Sequence, residues 1–204
     1  MTTLYLIRHA QSLPDSGQAE SDWPLSELGE AQARGLVAVL RPLGIQRLYG
    51  SPYRRCRDTL APFAEQAGLD VILDAGLRER RIAGAWLGDF RDAWRRSWED
   101  FSYTLDGGES SWACRERMAA TAEAIAARHP GETIGLGSHG NAIGLFLNYV
   151  DPAFGLREAS GLRTPEIVRV GQRGGRLFWN RSFAAGAAFE ELATDFRATP
   201  GVIA

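Results

Sequence analysis

The chain contains no lysine: all 23 of its basic residues are arginine, set against 25 acidic ones, for a formal net charge of -2. A balance so close to neutral gives no global attraction to nucleic acid, and neither nucleic-acid nor membrane partners are expected. The missing lysine reads as genome composition, yet it makes every cationic contact a planar guanidinium. Cysteine is scarce too. Cys56 and Cys114 form neither a disulfide framework nor a pair at metal-binding spacing, so free thiols in a reducing cytoplasm are expected. No apolar run approaches the roughly 20 residues that span a bilayer. Met1-Thr2-Thr3 leads directly into an apolar segment with no basic region before it, unlike a secretory leader. Long polar tracts and internal repeats are likewise missing, which disfavours disorder and solenoids. What remains is a folded chain of 204 residues, read as one domain over 1–204.

Apolar patterning divides that chain into alternating short strands and helices. Strands are predicted at Thr3–Ile7, Ile45–Tyr49, Val71–Leu73 and Thr133–Ser138. Glu166–Val170 and Arg176–Trp179 read as a closing antiparallel pair joined at Gly174-Gly175. Ser26 caps a helix that Pro42 and Gly44 end, and Ser51-Pro52 reads as N-cap and first residue of a second, ended by Gly68. Phe90, Trp94, Trp98 and Phe101 share one face of a helix within Asp89–Phe101. Ser110 or Ser111 starts a long helix that stops near His129, and Ile143–Val150 suggests a buried one. His129 therefore falls at a helix C-terminus, where a structural role suits it. The tail from Ala184 has little pattern and is assigned to the surface. This alternation predicts a three-layer α/β/α sandwich around a mostly parallel sheet.

In such sheets ligands bind outside the carboxyl ends of the strands. Two of the three histidines, His9 and His139, sit just past predicted strand ends. The chemistry that fits is phosphoryl transfer. A neutral imidazole can attack phosphorus and split one hard displacement into two easier ones. Charge on the equatorial oxygens calls for guanidinium donors, which Arg8 and Arg55 offer, with His139 beside them. Two arginines and a histidine already neutralise a phosphate, and there is no carboxylate cluster of metal-binding type. Neither metal nor cofactor is expected.

The segment Leu6-Ile7-Arg8-His9-Ala10-Gln11-Ser12 resembles the "RHG" signature of the histidine phosphatase superfamily, which includes the cofactor-dependent phosphoglycerate mutases. Further motifs follow in the family's order. They are Pro24-Leu25-Ser26 to Ala33, Ser51-Pro52-Tyr53-Arg54-Arg55-Cys56 to Thr59, Leu77-Arg78-Glu79, Gly107-Gly108-Glu109-Ser110 and Ser138-His139-Gly140. The resemblance implies the phosphoglycerate mutase-like fold, His9 as the phosphorylated nucleophile, and a phosphate pocket of Arg8, Arg55 and His139. It further implies Ser12 and the Gly140 amide as donors, and Glu79 as the acid for the leaving oxygen and then the base for water. Arg55 rather than Arg54 takes the family's position, because the small residue Cys56 follows it.

Departures from the pattern also matter. Ala10 replaces the commoner glycine, Gln11 stands where mutases show glutamate, and Ser12-Leu13-Pro14-Asp15 replaces the mutase continuation. Glu79 lies among Arg78, Arg80 and Arg81, which favour its charged form if they point toward it. A nucleophilic role for Cys56 is not expected. A variable cap is expected over about residues 80–106, with Trp86, Phe90, Trp94 and Trp98 either packing the cap on the sheet or walling the substrate. Arg91, Arg95 and Arg96 are alternative readers of further anionic groups. The expected function is phosphomonoester hydrolysis on a small-molecule ester. A phosphoglycerate mutase-type transfer and an inactive phosphate-binding module are the alternatives, and a homodimer is left open as the assembly.

Overall fold

A computed structural model describes residues 1–195. In chain order the main elements are β1 (Thr2–Arg8), α1 (Glu27–Leu40), β2 (Arg47–Gly50), α2 (Arg54–Ala67), β3 (Val71–Leu73), α3 (Phe90–Glu99), α4 (Ser111–Arg128) and β4 (Thr133–Ser138). They continue with α5 (Gly140–Val150), α6 (Leu156–Ala159), β5 (Arg163–Thr164), β6 (Glu166–Arg173), β7 (Arg176–Trp179), α7 (Ala187–Leu192) and β8 (Thr194–Asp195). Six strands form one sheet in the order β3-β2-β4-β1-β6-β7, and β5 pairs with β8 separately. The strands β3, β2, β4 and β1 run parallel, while β6 and β7 add antiparallel pairs at one side. The architecture is the three-layer α/β/α sandwich with a mostly parallel sheet.

The pleat of β1 divides the core. Leu4 and Leu6 belong to the cluster built with α4 and α5, while Tyr5 and Ile7 join the one built with α1 and α2. Because successive side chains of a strand point to opposite faces, a strand covered on both sides needs apolar residues on both, as Leu4 to Ile7 supply. The same alternation sends Arg8 toward α5. Gly140, the first residue of that helix, accommodates it: a Cβ there would lie 3.0 Å from Arg8 Cζ. On the other face Gly137 lets α2 close on β4, since a Cβ would meet Cys56 Sγ at 2.9 Å.

Two local expectations are corrected. Ser51 does not cap α2. Helix geometry begins at Arg54 with Tyr53 at the cap, because the Ser51 hydroxyl is engaged with His139, 2.7 Å away. The tail is not merely surface chain either. Phe189 of α7 is 1% exposed within the α1–α2 cluster, and Leu192 packs on Gly35. A single buried aromatic and one aliphatic contact give too short a pattern for periodicity to reveal. The part of the tail beyond Asp195 lies outside the described residues.

Candidate active site

His9 follows β1 directly and is held on both sides of its ring. Its Nδ1 lies 2.7 Å from the carbonyl of Ala10. A carbonyl only accepts, so Nδ1 carries the proton and Nε2 keeps its lone pair. Arg55, on the first turn of α2, donates its Nε–H to that Nε2 at 3.2 Å. The following residue is fixed as well: the Ala10 amide donates to Thr59 Oγ1, which donates to the Arg55 carbonyl. One turn of α2 thus sets the position of both His9 and Arg55.

His139 ends β4, and its ring centroid is 5.1 Å from that of His9. Ser51 Oγ accepts the Tyr53 amide and has its own proton to give to His139 Nε2 at 2.7 Å. With Nε2 accepting, the ring's one proton sits on Nδ1, which has no hydrogen-bond partner among the described residues. Burial and the guanidinium of Arg55 hold both histidines well below the ordinary imidazole range. Both are therefore neutral at physiological pH, as a nucleophile must be.

The two arginines are placed by different means. Arg8 donates through one terminal nitrogen to the carbonyls of Leu162 and Arg163, at 3.1 and 3.0 Å. Burial lowers its pKa to about 10, so it stays charged. Arg55 is 3% exposed, with its Cζ 5.4 Å from the Trp23 ring and 5.0 Å from the Tyr53 ring. Its terminal nitrogens donate to the carbonyl of Glu20 at 2.7 Å and to the Glu20 carboxylate at 2.8 Å.

Glu79 accepts hydrogen bonds from the amides of Arg80 (2.7 Å), Ala142 (3.0 Å) and Asn141 (3.3 Å), the last two at the start of α5. Its carboxyl is nonetheless pushed above the ordinary range, first by burial and then by the charge of Glu20. The sequence leaves open which way the neighbouring arginines point, and the hydrogen bonds of Arg78 and Arg80 go elsewhere. Arg80 turns to the Glu109 carbonyl, Ser97 and the Tyr103 carbonyl, while Arg78 turns to Glu109 and the Ala75 carbonyl. Arg81 is exposed to solvent.

Arg8, His9, Arg55, Glu20, Trp23 and Glu79 line one cavity of about 1030 Å³, which Ser12 and Gly140 also line, while His139 and Ser51 are fully buried behind it. Trp86, Phe90 and Trp94 form part of its wall, and the Trp94 indole donates to the Asn141 side chain. Trp98 does not reach it. That ring is 8% exposed and packs against Phe101 and Phe154 in the core, so its place among the cap residues facing substrate is corrected. The spacing of four could not separate Trp94 from Trp98, because both lie on the same helix face. The thiol of Cys56 is buried and pushed up to about 12, consistent with an inert role. His129 lies elsewhere, with Nε2 2.8 Å from the Tyr49 hydroxyl.

Sequence reasoning missed Ser51, Glu20, Trp23 and Asn141 as site residues. A serine before proline carried a helix-start signal that hid its role. Glu20 and Trp23 sit in a turn-rich loop without periodicity, and no local signal marks them.

A cavity at the carboxyl edge of a doubly covered sheet, floored by imidazole and guanidinium groups, is a phosphoryl-transfer architecture. The family model of the histidine phosphatase superfamily (branch 1) matches residues 4–171, and the chain belongs to that family. The probable phosphoglycerate mutase GpmB of Cronobacter sakazakii is 34% identical over 186 residues, covering 83% of this chain and 85% of that protein. Among solved structures, mycobacterial glucosyl-3-phosphoglycerate phosphatase with VO3 superposes with a TM-score of 0.74 at 24% identity, covering 87% of this chain and 96% of that one. Phosphoserine phosphatase from Entamoeba histolytica, in complex with 3-phosphoglyceric acid, gives a TM-score of 0.75 at 23% identity, covering 92% and 99%. At these identities the structural likeness speaks for the fold. Among the described residues no helix is long and apolar enough to cross a membrane.

Proposed function

We propose that the chain hydrolyses phosphomonoesters through a phosphohistidine on His9. The observation that carries this is the His9 ring itself: Nδ1 tied to a carbonyl, Nε2 unprotonated and 3.2 Å from a guanidinium. In the first step Arg55 gives up its hydrogen bond to Nε2 for a phosphoryl oxygen, and the freed lone pair of Nε2 forms a bond to phosphorus while the ester P–O bond breaks. Glu79, whose carboxyl burial pushes toward the protonated form, gives its proton to the departing oxygen. In the second step Glu79 takes a proton from water, whose oxygen attacks phosphorus as the P–N bond breaks, releasing inorganic phosphate. Arg8 and Arg55 hold the equatorial oxygens, with Ser12 and the Gly140 amide as further donors, and His139 backs them from beneath the cavity, where its Nδ1 has no other partner among the described residues.

The substrate we favour is a phosphate ester of a carboxylic acid or other second anion, enclosed by the cap over about residues 80–106. Arg81 and Arg91 line the cavity without a carboxylate partner among the described residues, beside the aromatic wall of Trp86, Phe90 and Trp94. The relatives named above act, by their names, on phosphorylated acids. Assay of a phosphate-ester panel, with and without chelator, tests this. Hydrolysis of phosphorylated acids above neutral sugar phosphates supports the proposal, and no release of phosphate from any ester refutes it. Phosphoglycerate mutase activity is the second reading, favoured by the GpmB relatives. It requires interconversion of phosphoglycerates to outpace their hydrolysis.

A further inference from the structure

The guanidinium of Arg55 is already shared with a carboxylate. It has five N–H bonds, and in the structure one is used on His9, one on the Glu20 carbonyl and one on the Glu20 carboxylate. Two remain for a phosphoryl oxygen pair. Glu20 lies in a short helical turn (Glu20–Asp22) of the loop before α1, and Trp23 of the same loop stacks on Arg55. That indole also donates to the Asp15 carbonyl and meets Trp86 of the cap edge-on at 5.9 Å. The loop therefore grips the arginine by charge and by ring, and the cap rests on the loop.

The charge count at the phosphate position follows. Both histidines are neutral, so the cations there are Arg8 and Arg55, enough to balance a phosphate dianion. The Glu20 carboxylate, 2.8 Å from Arg55 and lining the same cavity, offsets one of those two charges. A fixed negative charge just beyond the guanidinium weakens every anion held by it, product included.

We propose that Glu20 is a positioning residue that sets anion affinity: it holds Arg55 against the nucleophile and keeps the phosphate clamp weak enough to release its product. The inference rests on the phosphohydrolase reading above, and it adds a role for a residue in a loop outside the catalytic motifs. A tight clamp would trap inorganic phosphate, whereas one short of a full charge lets it leave.

The test compares wild type, Glu20→Gln and Glu20→Asp, each checked for folding by thermal melting. Binding of inorganic phosphate is followed by calorimetry, and hydrolysis of 4-nitrophenyl phosphate by steady-state kinetics. Glu20→Gln is expected to tighten phosphate binding about tenfold, a change appropriate to one charge at this range, and to lower KM and kcat together. A purely structural role would raise KM or leave it alone. Glu20→Asp, which keeps the charge, is expected to restore phosphate affinity to within about threefold of wild type. Unchanged or weaker phosphate binding in a folded Glu20→Gln enzyme overturns the proposal, as does a Glu20→Asp enzyme that matches it. If wild type neither binds phosphate nor hydrolyses any ester, the phosphohydrolase reading itself has failed. That outcome is distinct from a working wild type with an indifferent Glu20.

Discussion

Replacing Ser51 by alanine tests how His139 is held. Both residues are fully buried, and the Ser51 hydroxyl is the only hydrogen-bond partner of the imidazole among the described residues, at 2.7 Å on Nε2. Alanine removes that bond and strands a second ring nitrogen away from water. Leaving one buried polar group unsatisfied costs about 1–3 kcal/mol. In a chain of this size each kcal/mol moves Tm by roughly 2–4 °C, so a fall of about 2–12 °C is expected. If His139 turns to find another partner, the same range of energy lost from the transition state lowers kcat/KM by roughly 5- to 150-fold. Thermal melting and aryl phosphate hydrolysis measure the two effects in one preparation. Ser51→Thr, which keeps the hydroxyl, is expected to recover much of the rate unless its methyl group is excluded. A Ser51→Ala enzyme with wild-type Tm and a rate within twofold of wild type would refute the assignment of Ser51 as the group that orients His139.

Other expectations concern the proton donor, pH and the cap. Glu79→Gln cannot donate, so hydrolysis of alkyl phosphates is expected to fall about 100-fold or more while 4-nitrophenyl phosphate loses far less; equal losses would make Glu79 structural. With poor leaving groups, activity is expected to decline as pH rises through the elevated ionisation of Glu79, whereas protonation of His9 enters only well below pH 6.5. A pH–rate profile whose acid limb lies at or above pH 6.5 would contradict the burial argument. For stability the sign is set by the depressed histidines: the unfolded chain takes up protons below about pH 6.5 while the folded one does not, so their contribution is lost as pH falls. Glu79 acts oppositely, its contribution being lost as pH rises through its folded-state ionisation. Melting from pH 7 to 5 is expected to show a decline that His139→Asn reduces. Arg80→Met removes donors to Ser97 and to the Glu109 and Tyr103 carbonyls. Limited proteolysis is then expected to cut within residues 80–106 faster, and an unchanged cleavage rate would count against Arg80 as the anchor of the cap.

What the chain reveals on its own follows from how local each cause is. The apolar run Leu4 to Ile7 is doubly buried because helices cover both faces of β1, and such runs can be read directly. The strand-end positions of His9 and His139 follow from that run and its counterpart Thr133–Ser138, so their meeting at 5.1 Å required only the sheet's parallel pairing. The behaviour of Glu79 was not legible. Its immediate neighbours are arginines, but burial and a distant loop carboxylate outweigh them, and Arg80 spends its guanidinium on the cap. Ser51 carries the residue type of a helix cap, and only the position of His139 shows that its hydroxyl serves the ring. Trp94 and Trp98 have the same spacing signal, and the packing of Phe154 decides which one is core. Long-range contacts of this kind leave no trace in periodicity.

Everything in the proposed reaction depends on a covalent bond between phosphorus and one imidazole nitrogen. Rapid acid-free quenching during turnover of a labelled phosphate ester, followed by peptide mapping, measures that bond directly. The expected result is acid-labile, base-stable label on the peptide carrying His9, a matching burst of alcohol or phenol, and neither in His9→Ala. Label on His139 or a cysteine, or full turnover by His9→Ala, would contradict the account.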